Sequence, residues 1–169
     1  RFTSGGSSAA SDWYKGQTMR GALTQTLAIV TAFTVTHSLT LALATLGIIT
    51  LPAWLVESAI ALTVALGAAA NLLPGLFPKR WIMAFVFGLV HGLGFASVLA
   101  DLGLMGDGIV LPLLGFNIGV ELGQIAIVLL FVPLAYLARD TALYKRVFVP
   151  VGSVAIMVLA GVWLVERLS

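Results

Sequence analysis

The side chains that could do chemistry in this chain are two histidines and a few acids and amides. The chain has no cysteine, and its histidines, His37 and His91, each lie in the middle of a long apolar stretch. Glu57 lies near the start of another such stretch. Imidazole combined with carboxylate or amide donors, in the absence of sulfur, suits divalent first-row metal ions such as Ni²⁺, Co²⁺ or Zn²⁺.

A second group of donors lies on one stretch further along the chain. Asn117, Glu121 and Gln124 are spaced i, i+4, i+7, which places all three on one face of a helix. We therefore predict metal ligands among the residues His37, Glu57, His91, Asn117 and Glu121. Supporting roles are predicted for Ser38, Asn71 and Gln124.

The composition places these residues in a membrane protein. Hydrophobic residues make up 60% of the 169 positions, charged residues only 9%, and mean hydropathy is +1.08. A soluble domain carries about 25% charged residues, so an ordinary soluble enzyme and a disordered chain are both excluded. The net charge of +2 is too small for a phosphate-binding surface, which excludes nucleic acid as a partner. The expected partner is the lipid bilayer.

Five stretches are apolar and long enough to span a bilayer as helices, which takes about 20 residues each. They cover about 22–48, 53–73, 80–101, 109–136 and 145–168, with turn residues between them. The short connections predict an all-α membrane protein, a compact bundle of five transmembrane helices within a single domain, 18–169. Residues 1–17 have the composition of a flexible polar linker. Because the chain starts with Arg1, we expect further residues upstream of it.

The positive charges predict how the bundle is inserted. Eight of the nine Lys and Arg residues fall on one side of the predicted spans, and only Arg167 falls on the other. By the positive-inside rule the N-terminus is cytoplasmic and the C-terminus is outside. With the helical rise of 1.5 Å, both histidines and Glu121 then lie about 12–18 Å below the outer surface, and Glu57 about 6 Å below it.

Two stripes of glycine at four-residue spacing predict close helix packing. One stripe is Gly88 with Gly92, and the other is Gly115, Gly119 and Gly123. Small residues at this spacing allow the backbones of membrane helices to approach each other. We therefore expect the third and fourth spans to bring His91 and Glu121 within side-chain reach.

Four segments in the correct order and spacing resemble the HupE/UreJ family of hydrogenase and urease accessory membrane proteins. They are 33–41 (FTVTHSLTL), 51–62 (LPAWLVESAIAL), 87–95 (FGLVHGLGF) and 116–124 (FNIGVELGQ). The resemblance covers about residues 29–130 and includes the five predicted ligands. It implies that nickel or a related metal is handled at the membrane, with metalloenzyme maturation proteins as partners. Members of this branch usually carry an earlier span with a Gly-x-Asp-His-like motif, so six spans are expected in the full-length protein.

These observations favour a permease for a divalent metal, nickel first and cobalt or zinc next, in a bacterial cytoplasmic (inner) membrane. A homo-oligomer is also compatible with the sequence. The main alternative is an intramembrane zinc hydrolase, in which Glu57 or Glu121 is the general base. Two further alternatives are a b-type haem protein that uses His37 and His91, and a structural subunit packed through its glycine stripes.

Overall fold

The computed structural model describes residues 19–73, 75–77, 79–101 and 108–169, so the predicted linker over 1–17 lies outside the described residues. This part of the chain is helical and contains no strand, which confirms the all-α class. The helices are α1 (Met19–Thr45), α2 (Ala53–Leu72), α3 (Arg80–Asp101), α4 (Val110–Ala138) and α5 (Val149–Leu168). A π-helical turn, Tyr144–Phe148, leads directly into α5.

The helices identify an integral membrane protein. α1, α2, α4 and the continuous segment Tyr144–Leu168 are each long and apolar enough to cross a bilayer, with mean hydropathies between 1.7 and 2.3. Within α3, the stretch Arg80–Ala96 is a shorter apolar helix. The whole of α3 has 22 residues, which corresponds to about 33 Å of helix.

The helices pack in an order that differs from their order in the chain. α1 packs most extensively against α3 and also contacts α4, whereas α2 packs against α5 and α3. The result is a row in the order α4, α1, α3, α2, α5. The end helices are therefore the least covered, with 6% of the apolar stretch buried in α4 and 11% in the segment containing α5. Their exposed apolar side chains suit contact with lipid.

A short connection, residues 46–52, joins α1 to α2. At the end of α1 the Thr45 hydroxyl donates a hydrogen bond to the Leu41 carbonyl, at 2.8 Å. Gly47 then takes a positive φ of 71°, a conformation that ends helices and favours glycine. Pro52 immediately precedes α2, where its missing N–H group and restricted φ suit the start of a helix. The α1–α2 connection forms one wall of a pocket described below.

The connection between α4 and the π-helical turn carries a cluster of charges. The Asp140 carboxylate lies 3.3 Å from Lys145 Nζ and 3.3 Å from Arg139 Nε. Hydrogen bonds from Lys145 and then Arg139 hold the pKa of Asp140 below its ordinary value. The Arg139 guanidinium also lies over the Tyr136 ring, 3.7 Å from its centre. The cluster keeps its positive charges at this end of α4, as expected for residues outside the lipid.

The closest helix contact lies between α1 and α3 at Gly88 and Gly92. A Cβ atom at Gly88 would overlap the Thr36 hydroxyl, and one at Gly92 would overlap the Thr40 hydroxyl and the His37 carbonyl. Both threonines donate their hydroxyl hydrogens to carbonyls of α1 itself. α1 can therefore lie against the glycine backbone of α3 without leaving these hydroxyl donors unpaired. The prediction of close packing at this stripe is confirmed.

The other glycine stripe does not form such a contact. A Cβ at Gly115, Gly119 or Gly123 would have no atom of another described residue within 4 Å. The prediction that this stripe packs against a helix is therefore wrong for the part of the chain that the structure describes. The reason is that α4 turns its polar face, with Asn117 and Gln124, towards α1. Residues 115, 119 and 123 fall on roughly the opposite side of the helix.

Replacing Gly92 by alanine should destabilise the fold, whereas Gly119→Ala should not. The new methyl group at Gly92 overlaps atoms of α1, and overpacking of this kind costs about 1–3 kcal/mol. The measurement is thermal unfolding of both variants in the same detergent. A loss of stability at Gly119 equal to that at Gly92 would contradict the difference in packing between the two stripes.

Candidate metal site in the helix row

His37 is the most deeply buried of the predicted ligands. Its side chain on α1 is 1% exposed, and neither ring nitrogen has a hydrogen-bond partner among the described residues. Its ring stacks on Phe33 with centroids 5.7 Å apart, meets the edge of Phe95 at 5.4 Å and lies 6.3 Å from Phe116. A buried polar group without a partner is costly and rare in folded proteins. An imidazole kept in this state is a strong candidate for a functional ligand.

His91 on α3 also contacts one of the aromatic rings around His37, so these rings form an aromatic wall that the two histidines share at Phe33. Its ring makes an edge contact with Phe33, at a centroid distance of 5.5 Å, so Phe33 contacts both imidazoles. His91 Nδ1 lies 2.8 Å from the Phe87 carbonyl oxygen. Because a carbonyl can only accept, Nδ1 carries the proton in this contact and Nε2 keeps its lone pair. A backbone carbonyl that holds Nδ1–H in this way is the usual arrangement behind a metal-binding histidine.

α4 contributes amide side chains that are hydrogen-bonded to α1. The Ser38 hydroxyl donates to Asn117 Oδ1 at 2.8 Å, and the Thr34 hydroxyl donates to Gln124 Oε1 at 2.8 Å. Asn117 Nδ2 donates in turn to the Leu113 carbonyl at 3.0 Å. The prediction that Asn117 and Gln124 share one helix face is confirmed by these two contacts. They place Asn117 next to the residue that follows His37.

Glu121 lies on the same face of α4, between Asn117 and Gln124 in the sequence, and is half-buried. No hydrogen bond or ion pair joins its carboxylate to another of the described side chains. His91 uses Nδ1 for the Phe87 carbonyl, and no direct bond between His91 and Glu121 is seen in the described ranges. α3 and α4 each pack against α1 and not extensively against each other, so the prediction that their glycine stripes bring these two helices together is wrong for the described residues. A shared contact of His91 and Glu121 with one ion or water stays a prediction.

Glu57 is separate from the histidines and has a partner that the sequence reasoning missed. Its Oε2 lies 2.8 Å from Nε of Arg167, near the end of α5. The signal was present: Arg167 is the one cation predicted for the outer side, and Glu57 lies about one turn inside the same side. Glu57 also lines a pocket of about 230 Å³ between the α1–α2 connection, α2 and α3.

Asn71 links helices at a distance from the other predicted residues. Its Nδ2 lies 3.4 Å from the buried Ser153 hydroxyl, which joins α2 to α5. Fourteen residues separate Asn71 from Glu57 on α2, which corresponds to about 21 Å along the helix. This contact fits a role in helix packing.

The five predicted ligands are not gathered into one finished cluster. Across the described ranges, no three His, Asp or Glu side chains lie close enough together to hold one metal ion. The structure instead presents a polar centre at α1, α3 and α4, with the buried His37 and the half-buried His91 and Asn117, and a separate pocket at Glu57. The further statement that these residues bind a metal is a proposal.

Apolar helices around a buried His37, a half-buried His91 and hydrogen-bonded amides define a polytopic membrane protein with a polar centre inside its spans. The family described as "HupE / UreJ protein" matches residues 18–167, and the chain belongs to this family. Membership implies a role in metal transport, with nickel as the metal, or an accessory role connected with such transport. No curated protein and no solved structure matches the chain.

The hydrogen bond between Ser38 and Asn117 should show a measurable coupling energy. In a double-mutant cycle of Ser38→Ala and Asn117→Ala, we expect about 0.6 kcal/mol, the average for hydrogen bonds between membrane helices, and at most about 1.7 kcal/mol. The measurement is reversible unfolding in mixed micelles. The matched control is Thr26→Ala, which removes a hydroxyl bonded only within α1, and its effect should add to that of Asn117→Ala. Additivity in the first cycle as well would contradict the contact.

Proposed function

We propose that this protein carries a divalent transition metal ion, nickel first, across the bacterial cytoplasmic membrane, with His37 and His91 as principal ligands. The observation that carries the proposal is the burial of His37, whose two ring nitrogens have no partner among the described residues. Family membership supports the choice of nickel. The chain supplies imidazole, amide and carboxylate donors and no sulfur, which suits Ni²⁺ better than Cu⁺.

The residues around the histidines would have distinct roles towards the ion. The Phe87 carbonyl holds His91 Nδ1–H, which leaves Nε2 to bind metal. Neutral imidazoles do not balance two positive charges, so the Glu121 carboxylate on α4 would supply negative charge nearby. Exchange of the ion for a proton on Glu121 or on the histidine pair would couple metal movement to the proton gradient.

The direction of insertion is part of the proposal. The Lys and Arg pattern supports a cytoplasmic N-terminus and an external C-terminus. In this orientation the Glu57 pocket opens towards the outside, and the histidines lie deeper in the membrane. An ion entering from outside would meet Glu57 before it reaches His91.

Loss of either histidine should strongly reduce metal uptake. We expect His37→Ala and His91→Ala to lower nickel uptake into proteoliposomes by more than about tenfold, since even groups that support a metal ligand contribute 10–100-fold. Nickel retained by the purified protein is the second readout. The control is Asn71→Ala, which removes the contact with Ser153 and should keep nickel binding.

Two results would overturn the proposal. One is uptake by the wild-type protein that does not exceed empty vesicles for Ni²⁺, Co²⁺ and Zn²⁺. The other is uptake by both histidine variants at the wild-type rate. A shift of nickel binding in Asn71→Ala as large as in the histidine variants would contradict the separation of Asn71 from the site.

Single cysteines test the orientation, because the natural chain has none. Ala142→Cys lies in the exposed segment between α4 and the π-helical turn, and Ser169→Cys lies after α5. In intact cells, a thiol reagent that cannot cross membranes should label Ser169→Cys and should label Ala142→Cys only after lysis. The reverse pattern would show that the protein is inserted the other way round.

A further inference from the structure

The pocket at Glu57 shares helix α3 with the proposed metal site. It is walled by Thr50 of the α1–α2 connection, by Glu57 on α2 and by Leu93 and Gly94 on α3. His91 precedes Leu93 and Gly94 by less than one helical turn, so the α3 wall of the pocket continues towards the imidazole. A hydrated cation in this space of about 230 Å³ would have the Glu57 carboxylate beside it. His91 does not line the pocket, but it lies less than one helical turn from the α3 residues that do.

The Glu57 carboxylate in this pocket already forms an ion pair with a cationic side chain of the same protein. Arg167 Nε lies 2.8 Å from Glu57 Oε2, and the two side chains are 47% and 29% exposed respectively. Ion pairs that water can reach contribute little net stability, because solvation compensates for much of their attraction. Arg167 can therefore leave Glu57 without a large cost when another cation competes.

We infer that Arg167 is a specificity-determining residue, a tethered counter-ion that a divalent cation must displace from Glu57 before it enters the path. This inference rests on the proposed transport function and adds a selection step to it. A monovalent cation that replaces Arg167 exchanges one positive charge for one and gains little in attraction. A divalent cation brings twice the charge to the same carboxylate and gains correspondingly more.

A purely structural role for the pair predicts a different pattern. If the ion pair only ties α5 to α2, Glu57→Gln and Arg167→Gln break the same contact. Their effects on nickel uptake should then have the same sign. If Arg167 competes with the metal, the two variants act in opposite directions, since one removes the ligand and the other removes its competitor.

The test compares half-saturating nickel concentrations for uptake by the full chain in proteoliposomes. Arg167→Gln should lower this concentration by about two- to fivefold, the factor that corresponds to the free energy of an exposed ion pair. Arg167→Lys keeps the charge and should stay near wild type. Glu57→Gln should raise the concentration, and Arg167→Gln added to it should give no recovery. Raised sodium should slow nickel uptake more in Arg167→Gln than in wild type.

A second measurement does not depend on transport. Thr50→Cys places a thiol in the pocket wall of a chain that otherwise lacks cysteine. Nickel should protect this thiol from a water-soluble reagent, at lower nickel concentration when combined with Arg167→Gln. In a Glu57→Gln background the protection should be lost, which also shows that the thiol alone does not bind the ion. The labelling uses protein purified in detergent, where both faces are accessible, and Ala142→Cys, in the segment after α4, is the unprotected control.

The outcomes separate this inference from the proposed function. Nickel uptake by wild type, with both substitutions shifting the half-saturating concentration in the same direction, overturns the inference and leaves transport intact. Protection of Thr50→Cys that persists in Glu57→Gln also overturns it. Protection with the expected signs, in a protein that transports no metal, supports the cation site at Glu57 and contradicts the transport proposal.

Discussion

The backbone contact between α1 and α3 is the constraint on which the rest of the structure depends. In lipid, helices gain little from burying apolar surface against each other, and association relies on close packing and on polar contacts. Gly88 and Gly92 provide that packing, because threonine hydroxyls and the His37 carbonyl of α1 occupy the space of the missing side chains. The same contact brings His37 and His91 to one aromatic wall at Phe33.

The contact between α4 and α1 differs from the glycine contact between α1 and α3, because it includes hydrogen bonds between side chains. α4 is an end helix, and its described contacts with α1 include two side-chain hydrogen bonds, from Ser38 to Asn117 and from Thr34 to Gln124. Individual bonds of this kind contribute little stability in membranes, but they define which residues face each other. They determine that Asn117 and Glu121 lie on the face of α4 turned towards α1. The apolar faces of α4 point away from the other helices and stay exposed.

The class of the fold and the residues that share a helix face could be predicted from the sequence, because both follow from local patterns. Hydropathy identifies apolar segments, and a spacing of i, i+7 places Asn117 and Gln124 together. The lateral order of the helices has no local signal, so the pairing of Glu57 with Arg167 from another span was missed. The stripe at Gly119 was misread for a related reason: glycines permit close contact, but the polar face of α4 decided which side meets α1.

The Glu57 pocket and the region around His37 differ in how well water can solvate a bound ion. This difference bears on the proposed path of the ion. Glu57 and Arg167 are partly exposed, so water shares in the solvation of any ion bound there. His37 is closed in by aromatic rings, where a divalent ion would have lost most of its water and would depend on protein donors. Imidazoles replace lost water ligands but not charge, so an ion held by the histidines alone would be bound weakly. The half-buried carboxylate of Glu121 is what would make the deeper position favourable, and its protonation would make it unfavourable again.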